Sequence, residues 1–178
     1  NAAAVFTTNQ VVAAPVIWSR QVAKGGLVRA VVLNSGGANA CTGPQGFADT
    51  HKTAEHVAQL LNISSGEVIV CSTGLIGELL PMPKIIAGLD LITPALSQDG
   101  LHTSARAIMT TDSVPKIVTA SINGLEFAGI AKGAGMLAPA LATMLSVVMT
   151  DALVSENVQE IFKRVTDRTY NPIDSDGC

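Results

Sequence analysis

A mixed α+β fold is predicted for this sequence on three observations. Runs of aliphatic and β-branched residues, such as Leu27–Leu33 (LVRAVVL) and Glu67–Val70 (EVIV), alternate with stretches of helical apolar spacing, such as Phe47–Leu61. Ile122-Asn123-Gly124-Leu125 adds a hairpin signal, because Asn-Gly accepts the positive backbone angles of a type I′ turn. Apolar residues make up 48% of the chain but aromatic ones only 3%, so the core must be assembled from Val, Ile, Leu, Ala and Met. At 178 residues the chain has room for one structural domain with a substantial core.

In chain order, residues 2–7 are expected as a short strand and residues 14–23 as a short helix entered at Pro15, where the missing N–H costs nothing. Strand 27–33 ends in a turn-rich loop, Asn34 to Gly43 (NSGGANACTG), before helix 47–61. Asn62 and Gly66 close that helix. Strand 67–70 runs into a second glycine loop, Cys71 to Gly77 (CSTGLIG). Pro81 and Pro83 interrupt the next apolar stretch, leaving a helix around residues 84–89. Residues 102–107 end another helix, and 107–111 and 116–120 are expected as strands. Residues 125–131 pair back through the Asn-Gly turn and deliver Lys132 into a glycine-rich segment. The helix expected over 155–168 has Ser155 as its N-cap and Val158, Ile161, Phe162 and Val165 on one stripe.

The net charge of −3 and the lack of a Lys/Arg cluster leave no electrostatic footprint for nucleic acid or an anionic membrane. No apolar run approaches the ~20 residues that span a bilayer, and no basic-then-apolar leader opens the chain, so a cytoplasmic protein is expected. Cys41, Cys71 and Cys178 form no CxxC pair, and His51, His56 and His102 have no ligand-spaced partners. No metal is expected. The chain starts without Met and stops at SDGC, which is expected of a piece truncated at both ends.

Chemistry concentrates in Lys132 to Leu145, KGAGMLAPALATML. Gly133, Gly135, Pro139 and small residues break any regular period before Thr143 opens an apolar strand-like run, TMLSVVMT. A break of the Ala142–Thr143 bond would place a free α-amine beside the Thr143 hydroxyl. That amine has an ordinary pKa of roughly 8, near enough to neutrality to serve as general base without a histidine. A threonine at a strand start is otherwise a packing or capping residue. Cys71 offers a second nucleophile, but no histidine has a matching context and the thiol lies at an apolar strand end.

The segment KGAGMLAPALATML resembles the autoprocessing segment of the bifunctional glutamate N-acetyltransferase / ornithine acetyltransferase family of arginine biosynthesis. NSGGANACTG, CSTGLIG and IMTTD resemble further segments of that family in the same order, with Gly37 where the family usually has Asn. The resemblance implies a layered α/β/β/α, N-terminal-nucleophile-like fold. It implies cleavage between Ala142 and Thr143, giving an α-chain portion over 1–142 and the start of a β chain over 143–178. It makes Thr143 the nucleophile, assigns Thr73 and Gly74 to an oxyanion hole, and places substrate contacts at Thr110, Lys132 and Thr143. The implied reaction carries acetyl from N2-acetylornithine to glutamate through an acetyl-threonine ester. No cofactor is implied, although acetyl-CoA serves as a substrate in bifunctional members. An α2β2 assembly is implied as well.

Without the resemblance, CSTGLIG is a glycine-containing strand exit, Lys132 a solvated charge and Thr110 a strand former. The glycine loop at NSGGANACTG lacks both GxxxxGK[ST] and GxGxxG order, which argues against a nucleotide site; Asn34 is a candidate donor in an active-site wall. Two competing functions remain at this point. One is an autoprocessing aminopeptidase or amidohydrolase in which water accepts the acyl group; the other is a non-catalytic assembly fragment.

Overall fold

The computed structural model describes residues 1–174. Cys178 therefore lies outside the described residues. Five helices, α1 (Ala14–Lys24), α2 (Gly43–Leu61), α3 (Met82–Ile92), α4 (Leu101–Ala107) and α5 (Val158–Thr169), accompany five strands. The strands are β1 (Ala30–Gly37), β2 (Val68–Leu75), β3 (Lys116–Ile122), β4 (Leu125–Lys132) and β5 (Leu145–Thr150). β1 and β2 form a parallel pair, and β3, β4 and β5 an antiparallel sheet in that order. The chain is thus α+β, as expected. Among the described residues no helix is long and apolar enough to cross a membrane.

The two sheets divide the core. Ala54, Val57 and Ala58 of α2, Val68 and Val70 of β2 and Leu89 of α3 are buried together, with Trp18, Val32 and Ile85 packed at their margin. Ala105 and Ile108 pack on Ile130 of β4, joined by Ile117 and Val147 from β3 and β5 and by Leu33 from β1. Leu33 is the bridge between the parallel pair and the second core. Both cores are aliphatic, as an aromatic-poor composition requires, and burial of each of their Val, Ile and Leu side chains is worth roughly 1.5–3 kcal/mol.

A parallel pair leaves open edges, and α1 covers one of them. The Trp18 indole N–H donates to the Val68 carbonyl at 3.0 Å. The fully buried Ser19 hydroxyl donates to the Val70 carbonyl at 2.8 Å and accepts from its N–H at 3.0 Å. Edge groups that would otherwise solicit another strand are satisfied by a helix.

Several elements differ from expectation. β1 does not end at Leu33; its first four loop residues, Asn34–Gly37, continue the strand because β2 also continues, pairing Ser35 with Thr73 and Gly36 with Gly74. Thus the two glycine segments support each other as a ladder, with a bulge at Gly37. Helix α2 starts four residues early, with Pro44 in its first turn. Pro83 likewise opens α3 rather than interrupting it, since a first-turn N–H has no intrahelical acceptor to lose. The Asn-Gly turn is as expected, with φ of 52° at Asn123 and 79° at Gly124.

Residues 2–7 form no strand. Ala2 N–H reaches the Gly26 carbonyl at 2.9 Å, and Gln159 of α5 brackets Ala4 through its N–H and C=O, so the segment is a strap held at points rather than along a ladder. Ser155 is not the α5 cap: its hydroxyl bonds the Asn157 side chain and the helix begins at Val158. On that helix Val158, Phe162 and Thr166 turn inward while Ile161 and Val165 stay exposed. The strand carrying Thr143 begins only at Leu145, which leaves Thr143 in the bend ahead of it.

Residues 107–111 are not a strand either. Ile108 ends α4 and is drawn into the second core, and the irregular chain beyond it is organised by Asp112. The Asp112 side chain is 1% exposed, accepts from Gly133 N–H at 2.8 Å and Thr110 N–H at 3.3 Å, and pairs with Lys116. Burial pushes its pKa up, but the Lys116 hydrogen bond, the two N–H donors and the Lys116 charge together outweigh that and hold it at about 2.

Asn39 is fully buried at φ 50°, donating to the Gly46 carbonyl at 2.8 Å and to Thr50 Oγ1 at 2.9 Å while accepting from Thr42 at 2.7 Å. Asn39→Ala strands those partners and is expected to cost about 2–4 kcal/mol, measured by denaturant unfolding of the full-length protein. A second expectation concerns acid. Because the folded pKa of Asp112 lies below its ordinary 3.8, its stabilising contribution is complete above that value and disappears as pH falls toward 2. Asp112→Asn should therefore lower stability at neutral pH and flatten the loss of stability across that acid window, read by unfolding at stepped pH.

Candidate active site

The end of β2 and the end of β4 meet in the interior. Lys132, the last residue of β4, is 3% exposed and donates from Nζ to Thr73 Oγ1 at 3.0 Å. Burial lowers its ammonium pKa, the Asp112 carboxylate raises it, and the like charge of Lys116 lowers it again. Because the Thr73 oxygen is occupied as an acceptor, its own O–H is turned away from Lys132 and is available to donate elsewhere. Two of the site residues expected from sequence are therefore in direct contact. The expectation of a solvated Lys132 does not hold, since its head group is buried against a hydroxyl.

Gly74 follows Thr73 at φ 130°, and a Cβ there would lie 2.3 Å from the Gly36 carbonyl carbon. Only glycine permits β1 and β2 to approach so closely at this point. Asn34 braces the same corner: its Nδ2 donates to the Gly37 carbonyl at 3.0 Å and its Oδ1 accepts from the Ser72 hydroxyl at 2.6 Å. NSGG thus shapes the strand end that carries Thr73 and Gly74.

Thr143 packs beside Gly133, the residue that follows Lys132. Asp112 fixes the Gly133 N–H, and a Cβ on Gly133 would stand 3.3 Å from the Thr143 carbonyl oxygen and 2.8 Å from Leu137 Cδ1. Ahead of Thr143, residues 138–142 form a closed turn. The Leu141 and Ala142 N–H groups both donate to the Ala138 carbonyl at 2.7 Å, and the Ala138 N–H donates to the Ala142 carbonyl at 3.3 Å. The Ala142 carbonyl is thereby polarised by a backbone donor.

Thr143 itself has φ 68°, a conformation that costs a β-branched residue on the order of 1–3 kcal/mol. Among the described residues its Oγ1 is the buried side-chain polar atom with no hydrogen-bond partner. A hydroxyl that is desolvated, unpaired and adjacent to a strained peptide is set up to react with that peptide or with a bound carbonyl.

Thr110 is less intimately placed. Its side chain is exposed, and its link to the site is the N–H given to Asp112. Cys71 is disfavoured as a nucleophile, because burial pushes its thiol up to about 11 and favours the protonated form at neutral pH. Reading the sequence missed Asp112, which ties Thr110, Lys116 and Gly133 into one unit. Its signal was present in IMTTD, where the carboxylate followed the threonine pair without a role.

Arginine biosynthesis bifunctional protein ArgJ of Thermobifida fusca (strain YX) is 55% identical over 179 residues, covering 100% of this chain and 47% of its own length. The protein of that name from Streptomyces avermitilis is 56% identical over 178 residues, covering 99% and 46%. The chain thus spans about half the length of the curated relatives it matches. Among solved structures, ornithine acetyltransferase complexed with ornithine, from Mycobacterium tuberculosis, superposes with a TM-score of 0.76 at 53% identity, covering 81% of this chain and 77% of that one. Arginine biosynthesis bifunctional protein argJ from Bacillus halodurans superposes with a TM-score of 0.68 at 37% identity, covering 81% and 76%. The family model described as the ArgJ family matches residues 1–178, and the chain belongs to that family.

Proposed function

We propose that this chain is part of an acetyltransferase that moves acetyl from N2-acetylornithine to glutamate, after self-cleavage between Ala142 and Thr143. The observation that carries the reading is the buried, unpartnered Thr143 hydroxyl on left-handed backbone directly after the bond to be cut. The names of the relatives, a bifunctional protein of arginine biosynthesis and an ornithine acetyltransferase solved with ornithine, supply the substrate class.

In maturation, Thr143 Oγ1 adds to the Ala142 carbonyl carbon, the hydroxyl proton passes to the departing amide nitrogen, and the amide becomes an ester. Water cleaves the ester, leaving an Ala142 carboxylate and a Thr143 that bears both a free amine and its hydroxyl. An α chain over 1–142 and a β chain starting at Thr143 result. In turnover the amine removes the hydroxyl proton as Oγ1 attacks the acetyl carbonyl. Thr73 O–H and Gly74 N–H face the developing oxyanion, and each such donor is worth roughly 3 kcal/mol in the transition state. Lys132 reinforces Thr73, since a cation donating into the hydroxyl oxygen makes its remaining O–H a stronger donor. Ornithine leaves by its amine, taking the proton, and the glutamate amine then accepts the acetyl group from the threonine ester.

Thr110 and Lys132 are assigned to the substrate side, with Thr143 touching the acyl group. The scheme needs no cofactor. Acetyl-CoA fits the same ester chemistry as an alternative donor, and the mature chains are assigned to an α2β2 assembly in the cytoplasm.

Mass analysis of the full-length protein should show a break at Ala142–Thr143 in the wild type and an intact chain in Thr143→Ala. That variant should lose at least roughly a thousandfold in transfer, and Thr73→Val roughly a hundredfold with little change in KM. Mature enzyme given N-acetylornithine should deliver acetyl to added glutamate; equal acetate release with and without glutamate would instead mark a hydrolase. The rate should rise with pH through roughly 7–8 as the Thr143 amine loses its proton. An uncut protein that transfers acetyl at the normal rate would overturn the assignment.

A further inference from the structure

The turn that presents Ala142 is held from outside by a segment more than 130 residues away in sequence. Thr8 N–H donates to the Ala140 carbonyl at 2.8 Å, and the Thr8 hydroxyl reaches the same oxygen at 3.1 Å. The Thr7 hydroxyl donates to the Leu141 carbonyl and accepts from Asn9 N–H at 3.0 Å, so both its oxygen and its proton are committed. The strap carrying these threonines is itself anchored. Arg20 of α1 donates to the Thr7 carbonyl at 2.5 Å, with its guanidinium 5.8 Å from the Phe6 ring centroid.

Four of the five carbonyls of the turn over 138–142 consequently have a donor. Ala138 accepts from within the turn, Ala140 and Leu141 accept from Thr8 and Thr7, and Ala142 accepts from Ala138. Fixing the Leu141 carbonyl fixes the peptide plane between Leu141 and Ala142. Fixing the Ala142 carbonyl fixes the plane between Ala142 and Thr143. Two successive immobile planes set the backbone angles of Ala142, and the pairing of Leu145 with Lys132 holds the chain just beyond, so the left-handed angle at Thr143 is the joint between two fixed pieces.

We propose that Thr7 and Thr8 are positioning residues for self-cleavage, holding the turn so that the Thr143 hydroxyl stays beside the Ala142 carbonyl. The inference rests on the reading that this bond is cut by Thr143. Neither threonine touches the reacting atoms. Their effect passes through the Ala140 and Leu141 carbonyls, and without them the turn can swing the Ala142 plane away and let Thr143 return to ordinary backbone angles. An intramolecular attack depends steeply on such placement.

The test uses the full-length protein with Thr7→Val and Thr8→Val combined, which keeps side-chain volume and removes both hydroxyls. Loss of the uncut chain, followed by intact mass from the time of synthesis, should be slower by roughly tenfold or more. Thr7→Ser with Thr8→Ser keeps the hydroxyls and should cut at the wild-type rate. Acetyl transfer per cut chain should match the wild type within about twofold in the valine variant, which a general loss of structure would not allow. A valine variant that cuts as fast as the wild type overturns the inference while leaving the cleavage reading intact. A serine variant that slows equally, with a matching fall in Tm, overturns the hydroxyl assignment. A wild type that stays whole, or a Thr143→Ala protein that is cut, removes the cleavage reading beneath it.

Discussion

A β-branched side chain at φ 68° crowds its own backbone, and at Thr143 nothing in the local sequence relieves that crowding. Such a conformation survives only where surrounding contacts determine it more strongly than the residue itself does. The contacts are all visible. The closed turn over 138–142 fixes the approach, Gly133 allows the chain to pass within van der Waals reach of the Thr143 carbonyl, and Asp112 holds Gly133 in place. Because Gly133 follows Lys132 directly, the carboxylate that supports the strained bend also sets where the buried ammonium meets Thr73. One acid thus couples two strand ends that belong to different sheets.

The opposing wall has its own geometric condition. Parallel pairing of β1 with β2 brings two glycine segments side by side, and contact between Gly36 and Gly74 leaves no room for a side chain on Gly74. Asn34 and Ser72 then brace the bulge at Gly37. Rigid placement of the Thr73–Gly74 corner comes from far outside it, through α1, whose Ser19 and Trp18 close the edge of β2. Stability is supplied by the aliphatic cores and by this edge, while the bend carries the one β-branched residue on left-handed backbone among the described residues.

Much of this was legible in the sequence, for identifiable reasons. The Asn123-Gly124 hairpin and helix α2 were evident because turn chemistry and helical spacing are local signals. NSGG and CSTGL were taken for loops because glycine depresses any strand reading, yet each is the other's strand partner, a fact no local window contains. Residues 2–7 looked like a strand for the converse reason: the residues suit one, but no neighbour offers a ladder. Among the site residues, Thr73 and Lys132 were singled out and do meet, whereas Asp112 was passed over because its three partners lie 2, 4 and 21 residues away and converge only in the fold. A carboxylate with scattered partners leaves no spacing to read.

Poverty in aromatic residues has a spectroscopic consequence. Trp18 is the single tryptophan of these 178 residues, its indole N–H bonded to Val68 and its ring edge-on to His51 with centroids 4.9 Å apart. Within this stretch, tryptophan emission therefore originates at the junction of α1, β2 and α2. Light from that indole follows melting of the layer built from α1, α2 and β2.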